Sequence, residues 1–330
     1  MRQQAVSILL ALFVAISAWA ADQTETPEAR RTKTLSILRK VDAFMKNKVQ
    51  PSPQLVIVIS DMNGVAYSSR GNAIFVSQLI EPLLIHEYGH ALLDEYLVQN
   101  SEAWLYFKAR RMFDRKTLPQ AVADMRTSVA NLEKTLSEFK ISHPGSEFVT
   151  NLERSLRKEN ITLSFLISAL PLDEKYKHHH EQVDFFSLLA PYHELLADTL
   201  AVVMANDWNL MSDQLREYNR TSDEKMVVPE GATEEKIFWH RGFHRDVAVE
   251  NYDFKSWEEE NPYTQFAPMR SYLRSLFEDL DESSKHLRLI LLAKAIQMEL
   301  DERVQNKSLH QITAKEKNQR LKKRIEDLLH

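Results

Sequence analysis

The chain has 330 residues, 44% of them hydrophobic, with both signs of charge interspersed to a net −5. That is long enough for two domains, or for one large helical domain with an embedded catalytic core, and it offers no basic footprint for nucleic acid. The absence of cysteine excludes disulfides, thiol chemistry and cysteine-ligated zinc, while only 6 glycines point to long helices with few tight turns.

Met1-Arg2 is a short basic start, Ser7 through Ile16 an apolar core, and Ala18-Trp19-Ala20 a small-x-small pattern. This predicts a secretory signal peptide over residues 1–20, cut after Ala20, with an uncleaved anchor as the alternative. The run is short for a membrane span, no second such run is expected, and no lipobox cysteine follows. The expected location is therefore secreted or periplasmic, with no stable membrane span after cleavage. Residues 21–33 read as a flexible polar leader. Thr34 to Lys48 has the apolar periodicity of one helix. Leu55–Ile59 and Asn72–Val76 read as strands of a small sheet, with a turn-rich Asp61–Gly71 between them, and Ser77 is a reasonable N-cap for the next helix.

That helix carries Leu84-Ile85-His86-Glu87-Tyr88-Gly89-His90-Ala91-Leu92-Leu93. Residues four apart stack on one helical face, so His86 and His90 can reach one tetrahedral cation. Glu87 leans over the same position, where it can take a proton from water acidified by that cation. Gly89 costs a helix interior roughly 1 kcal/mol against Ala, and close approach of another segment is a reason to tolerate it. The plainer alternative is an amphipathic helix that happens to carry two histidines.

A catalytic zinc takes three protein ligands and leaves a position for water. The third is sought in Tyr192 to Val203, a second apolar helical stretch with acids at i and i+4. Glu194 would bind the metal, and Asp198 would accept the outer ring N–H of a zinc histidine. Two inward carboxylates on so apolar a helix would otherwise be costly to bury. His193 is the competing third ligand; choosing Glu194 gives Asp198 a clear task.

From Ser101 to about Lys177 the chain reads as wholly helical, with one helix begun by Trp104, Leu105 and Phe107. Another starts at Thr117 with Pro119 and carries a packing stripe of Val122, Met125, Val129, Leu132 and Leu136. His178-His179-His180 reads as a solvated tract. Met226 to Pro268 is the least regular segment and the candidate functional loop. Beyond it, Leu287, Ile290, Leu291, Ala295 and Met298 form an expected apolar face, and Lys315 to His330 an amphipathic basic helix that docks or dimerises.

The His86-Glu-x-x-His90 helix followed by Glu194-x-x-x-Asp198 resembles the gluzincin zinc metallopeptidases, the thermolysin-like group. The resemblance covers residues 55–100 and 190–206. It departs from the family in a 104-position separation of the two motifs and in His193, where an Asn usually precedes the ligand. It implies Glu194 as third ligand, Asp198 as the outer partner of a ligand, and Ala73–Val76 as an edge strand that pairs with extended substrate. It also implies a histidine and a tyrosine that stabilise the transition state; His240 and His244 are the candidates, in Phe238-Trp239-His240-Arg241-Gly242-Phe243-His244.

The expected fold is α+β and predominantly helical: a zincin-like core with a small antiparallel or mixed sheet, an active-site helix, a third-ligand helix and a large helical insertion. The expected organisation is a catalytic core over 34–210 with the insertion at about 101–177, a loop-rich active-site segment over 211–268, and a C-terminal helical region over 269–330. The expected function is a zinc-dependent metallopeptidase with one Zn2+ per chain, held by His86, His90 and Glu194, acting through Glu87 on a peptide or protein substrate. The alternatives are a zinc hydrolase of a non-peptide substrate and a non-catalytic envelope protein with a retained metal site. Oligomeric state is not readable from the sequence.

Overall fold

The computed structural model describes residues 26–46, 55–60, 64–77, 79–113, 115–182, 184–221, 228–244 and 247–330. The signal segment and cleavage point expected over 1–20 lie outside the described residues. The described chain is mostly helical with one small sheet. It forms two compact units, one from the described parts of Met1–Tyr96 and Asp184–His330, the other from Leu97–Val183.

In the first unit, α1 spans Pro27–Phe44, so the leader expected over 21–33 is helical from residue 27 onward. Local chemistry explains the early start: the Thr26 side chain accepts from Ala29 N, and Pro27 occupies the first turn, where its missing N–H costs nothing. Three strands follow, β1 (Val56–Ile59), β2 (Val65–Ser68) and β3 (Ala73–Val76), in the order β1-β3-β2. β3 pairs parallel with β1 and antiparallel with β2. This corrects two expectations. The turn-rich interval contains a strand, and Ala73–Val76 is the central strand, with both sides already paired. The outer strand nearest the helix that carries His86 and His90 is β2.

The helix that carries His86, Glu87 and His90, α2, spans Glu81–Asn100. Ser77 does not cap it; its N–H and hydroxyl both donate to Gly64 O, closing the end of the sheet instead. The helix that carries Glu194 and Asp198, numbered α7 because four helices of the second unit precede it in the chain, spans Phe185–Ala205. Its Ser187–Ala205 stretch is long and apolar enough to cross a membrane by composition, contrary to the expectation of no second such run. However, 83% of the window is buried inside the protein. A core helix flanked by other helices needs apolar residues all round, which is the same composition.

Beyond α7 come α8 (Leu210–Thr221), α9 (Glu234–Arg241), a short α10 (Ser256–Glu260), α11 (Ala267–Phe277), α12 (Glu282–Gln305) and α13 (Ala314–Leu329). Helices α9 and α10 fall in the segment expected to be irregular. Thr233 caps α9 by accepting from Lys236 N, a short start signal without a long apolar stripe behind it. In α12 the inward stripe runs through Leu289, Leu292, Ala293, Ile296, Leu300 and Val304, whereas Leu287 and Met298 face outward. Of the expected face, Ala295 is buried while Leu287 and Met298 are exposed, so the expectation holds only in part. Helix α13 docks on its own chain: Leu321 and Ile325 are buried, and Arg320 and Arg324 donate to the two oxygens of the buried Glu299 on α12.

The second unit is helical throughout its described residues. It contains α3 (Glu102–Met112), the long pair α4 (Leu118–Ser142) and α5 (Glu147–Ala169), and α6 (Asp173–Gln182). Ser101, Thr117 and Ser146 cap α3, α4 and α5, and Thr117 with Gln120 completes a reciprocal capping box. Trp104, Tyr106, Phe107 and Tyr176 pack edge to face at its base, and Tyr106 OH donates to Asp173. The three-histidine tract lies in α6, where His178 is exposed.

Candidate metal centre

The site is built where α2 and α7 meet. Gly89 allows the meeting: a Cβ there would stand 2.9 Å from Ala197 Cα and 3.3 Å from Ala197 Cβ, closer than a side chain tolerates. Without that Cβ, the His86 and His90 face of α2 lies against the Glu194 and Asp198 face of α7. All four side chains are buried, as is Glu87.

His86 Nε2 and His90 Nε2 face each other at 3.0 Å. Glu194 Oε2 lies 3.5 Å from His86 Nε2, and Glu194 Oε1 lies 3.6 Å from His90 Nε2. Donors bound tetrahedrally at about 2.0–2.1 Å from one zinc stand about 3.3–3.4 Å apart. The three observed separations bracket that figure. Two imidazole nitrogens and a carboxylate, brought this close out of contact with water, match the donor chemistry of a divalent metal.

The outer groups match as well. His86 Nδ1 lies 3.0 Å from Asp198 Oδ1, and a carboxylate there favours the tautomer that leaves Nε2 with its lone pair toward the cluster. Burial alone would lower the basicity of His86, but Asp198, with Glu194 and Glu87, holds it above its ordinary value. His90 goes the other way: burial, with His86 and His193 beside it, lowers its pKa well below the usual range. One imidazole next to another cannot readily take a second positive charge, and a neutral ring is the form that binds metal.

Glu87 sits 1% exposed beside this cluster. Its Oε2 accepts the Tyr67 backbone N–H of β2 at 2.7 Å, so the sheet fixes the carboxylate and leaves Oε1 unconstrained by that bond. Burial, reinforced by the Glu194 charge, pushes its pKa up to about 8 against the lowering effects of His86, the Tyr67 N–H and Arg241. Tyr67 also donates its hydroxyl to Asp94 Oδ2 at 2.7 Å, and the other oxygen of Asp94 lies 3.1 Å from His193 Nε2. The His193 ring in turn stacks on His90, with centroids 5.4 Å apart. In this structure His193 therefore aims its Nε2 at Asp94, and Glu194 is the residue of the pair that joins the two zinc-type histidines.

Two arginines complete the centre: Arg241, which belongs to the candidate functional loop but has no assigned role in the sequence reading, and Arg270, which that reading does not single out. Arg241, at the end of α9, donates from Nη1 to Glu194 Oε2 at 3.1 Å and from Nη2 to Asp198 Oδ1 at 2.6 Å. Arg270 of α11 donates from Nε and Nη2 to Asp198 Oδ2 and from Nη1 to the carbonyls of His240 and Tyr263. Burial opposes ionisation of Asp198, yet these two guanidiniums hold its carboxyl well below the ordinary carboxylate range. The Tyr263 ring lies under Arg241, 4.7 Å from Cζ. Burial and the nearby Glu194 charge push its phenol far up, keeping it protonated as a donor.

The two histidines expected to stabilise a transition state are not brought to this cluster. His240 is buried in a network of its own, with Nε2 2.8 Å from Tyr252 OH and 2.5 Å from Glu258 Oε1, and Nδ1 against Lys236 O. His244 stacks on Trp239, with centroids 4.5 Å apart, and pairs its Nε2 with Trp239 O. The residue between them, Arg241, is the one that turns inward. Its signal in the sequence is indirect: two carboxylates on one apolar helix demand buried cations, and such cations have to come from elsewhere in the chain.

Comparison of the chain with known protein families, with curated proteins and with solved structures finds no match.

Proposed function

We propose that this protein is an exported zinc-dependent metallopeptidase of gluzincin type, with His86, His90 and Glu194 holding the metal. The observation that carries the proposal is the convergence of His86 Nε2, His90 Nε2 and the Glu194 carboxylate within 3.0–3.6 Å of one another, with Glu87 buried next to them. A metal held by these residues would supply Lewis acidity, polarising a substrate carbonyl and acidifying a water. Glu87, whose carboxylate lies within 4.8 Å of ring nitrogens of both His86 and His90, has the position of a general base that takes the water proton and later delivers it to the leaving amine. Tyr67 N–H holds one Glu87 oxygen, so the transferred proton travels on the other. Asp198 keeps His86 in its binding tautomer. Tyr263, a buried phenol whose ring lies 4.7 Å from Arg241 Cζ, is the candidate donor for negative charge on the carbonyl oxygen.

A peptide is favoured as substrate by the resemblance of the His86-Glu-x-x-His90 and Glu194-x-x-x-Asp198 pair to the gluzincin metallopeptidases. Export rests on the basic start, apolar run and small-x-small pattern of residues 1–20. The near-complete burial of Glu87 and the three metal-type side chains favours a second reading, in which the site keeps a metal without turnover.

One experiment separates the two. The zinc-loaded protein and its Glu87→Gln variant are incubated with an unbiased peptide library, and their metal contents are compared. Cleavage by the wild type alone, at equal metal content, is the expected result. Metal in both with cleavage in neither would establish the second reading, and undiminished cleavage by Glu87→Gln would remove Glu87 from the mechanism.

A further inference from the structure

We infer that Arg241 is a resident counter-cation of the metal centre, one that neutralises it before metal arrives and so sets its divalent affinity below what two histidines and a glutamate would otherwise give. This rests on the reading that His86, His90 and Glu194 hold the metal.

The guanidinium is buried and forks across both acids of the Glu-x-x-x-Asp motif, with Nη1 on Glu194 Oε2 and Nη2 on Asp198 Oδ1. Among the described residues its Nε has no hydrogen-bond partner, and its hydrogen bonds go to the two carboxylates. Arg270 already satisfies the other oxygen of Asp198 through two donors. Arg241 therefore contributes one positive charge that Asp198, at 2.6 Å, and Glu194, at 3.1 Å, share. The two buried acids Glu194 and Asp198 thus face the two buried guanidiniums of Arg241 and Arg270. A buried cluster so balanced can fold without an ion.

Two consequences follow for the metal. Glu194 Oε2 already accepts from Arg241, so a metal would draw more on Oε1, 3.6 Å from His90 Nε2. A dication entering beside a fixed guanidinium is also repelled by it. Removing the positive charge while keeping the apolar stem should raise affinity, whereas a residue that only positioned Glu194 would give lower affinity when lost.

The test uses the full chain stripped of metal, with zinc affinity read by competition against a chromophoric chelator and folding read by far-ultraviolet circular dichroism. Arg241→Met is expected to bind zinc at least tenfold more tightly than the wild type, about 1.4 kcal/mol, and to lose thermal stability when metal-free, regaining it on zinc addition. Arg241→Lys keeps the charge and is expected to stay within about threefold of wild-type affinity. Weaker or unchanged zinc binding by Arg241→Met overturns the inference. So does an Arg241→Lys protein that behaves like the methionine variant, since that would make the fork's geometry the operative feature. An Arg241→Met chain that folds neither with nor without zinc overturns it as well, because the role would then be scaffold alone. If the wild type itself binds no zinc, the metal reading fails; if it binds zinc and the variants disagree with these expectations, only the counter-cation inference fails.

Discussion

Replacing Gly89 by alanine tests the helix contact on which the centre depends. The new methyl carbon would stand 2.9 Å from Ala197 Cα, a backbone atom that cannot rotate away. Carbon atoms pack at about 3.5–4.0 Å, so α2 and α7 have to separate locally by roughly 0.6–1 Å. Overpacking of this kind costs about 1–3 kcal/mol, and alanine returns about 1 kcal/mol of helix propensity, for a net loss of roughly 0–2 kcal/mol. The fold should survive, but the metal site should not remain intact. Ala197 lies one turn beyond Glu194, so the shift carries the Glu194 oxygens away from histidine nitrogens that now stand 3.5 and 3.6 Å from them. Separations of about 4 Å exceed the roughly 3.3–3.4 Å a tetrahedral zinc requires. Zinc affinity, measured by chelator competition, should fall at least tenfold while the metal-free melting temperature drops by only a few degrees. A Gly89→Ala protein that is more stable than the wild type and binds zinc equally well would refute the argument, because propensity alone would then describe the site.

Other predictions address charge. Glu87 has a folded pKa of about 8 against an ordinary 4.5, so the folded metal-free protein holds that proton more tightly than the unfolded chain does. Its contribution to stability is complete below pH 4.5 and is lost as pH rises toward 8, at a limiting slope of about 1.4 kcal/mol per pH unit. Chemical denaturation at several pH values should show Glu87→Gln lacking that slope; equal slopes would contradict the assignment. Asp198→Asn removes an acceptor from the Arg241 and Arg270 donors and a partner from His86, and should cost about 3–5 kcal/mol with a 10–100-fold loss of zinc affinity. Lys317 of α13, whose ammonium donates to Gln265 Oε1, is lowered to about 8 by burial and by Arg303. Its folded state binds the proton less tightly than the unfolded chain, so stability should rise between pH 8 and 10.5, and Lys317→Met should be about 1–2 kcal/mol more stable at pH 7. A pH-independent difference between the two would show that packing, not the buried charge, decides it.

Much of the centre was legible because local periodicity carries it. His86, Glu87 and His90 announce themselves by helical spacing, and Gly89 asks for a close neighbour that turns out to be Ala197. Glu194 and Asp198 stand out as acids on an apolar helix. The rest depends on long-range pairing that leaves no local pattern. Tyr67 lies in a strand of four residues inside a turn-rich interval, and its backbone N–H reaches Glu87 only once β2 has paired with β3. The strand order that makes β3 central follows from a parallel pairing, which no periodicity in Leu55–Ile59 specifies. Arg241 and Arg270 come from two further helices, and an arginine carries no mark of burial in its own neighbourhood. His240 drew attention as a titratable group in an aromatic segment, but Glu258 and Tyr252 already satisfy it.

The central claim is that three side chains from two helices share one ion, and zinc-edge anomalous scattering from crystals of the zinc-loaded protein tests it most directly. The expected map has a single strong peak in bonding contact with His86 Nε2, His90 Nε2 and a Glu194 oxygen. A peak elsewhere, or none within reach of Glu194, would contradict the account.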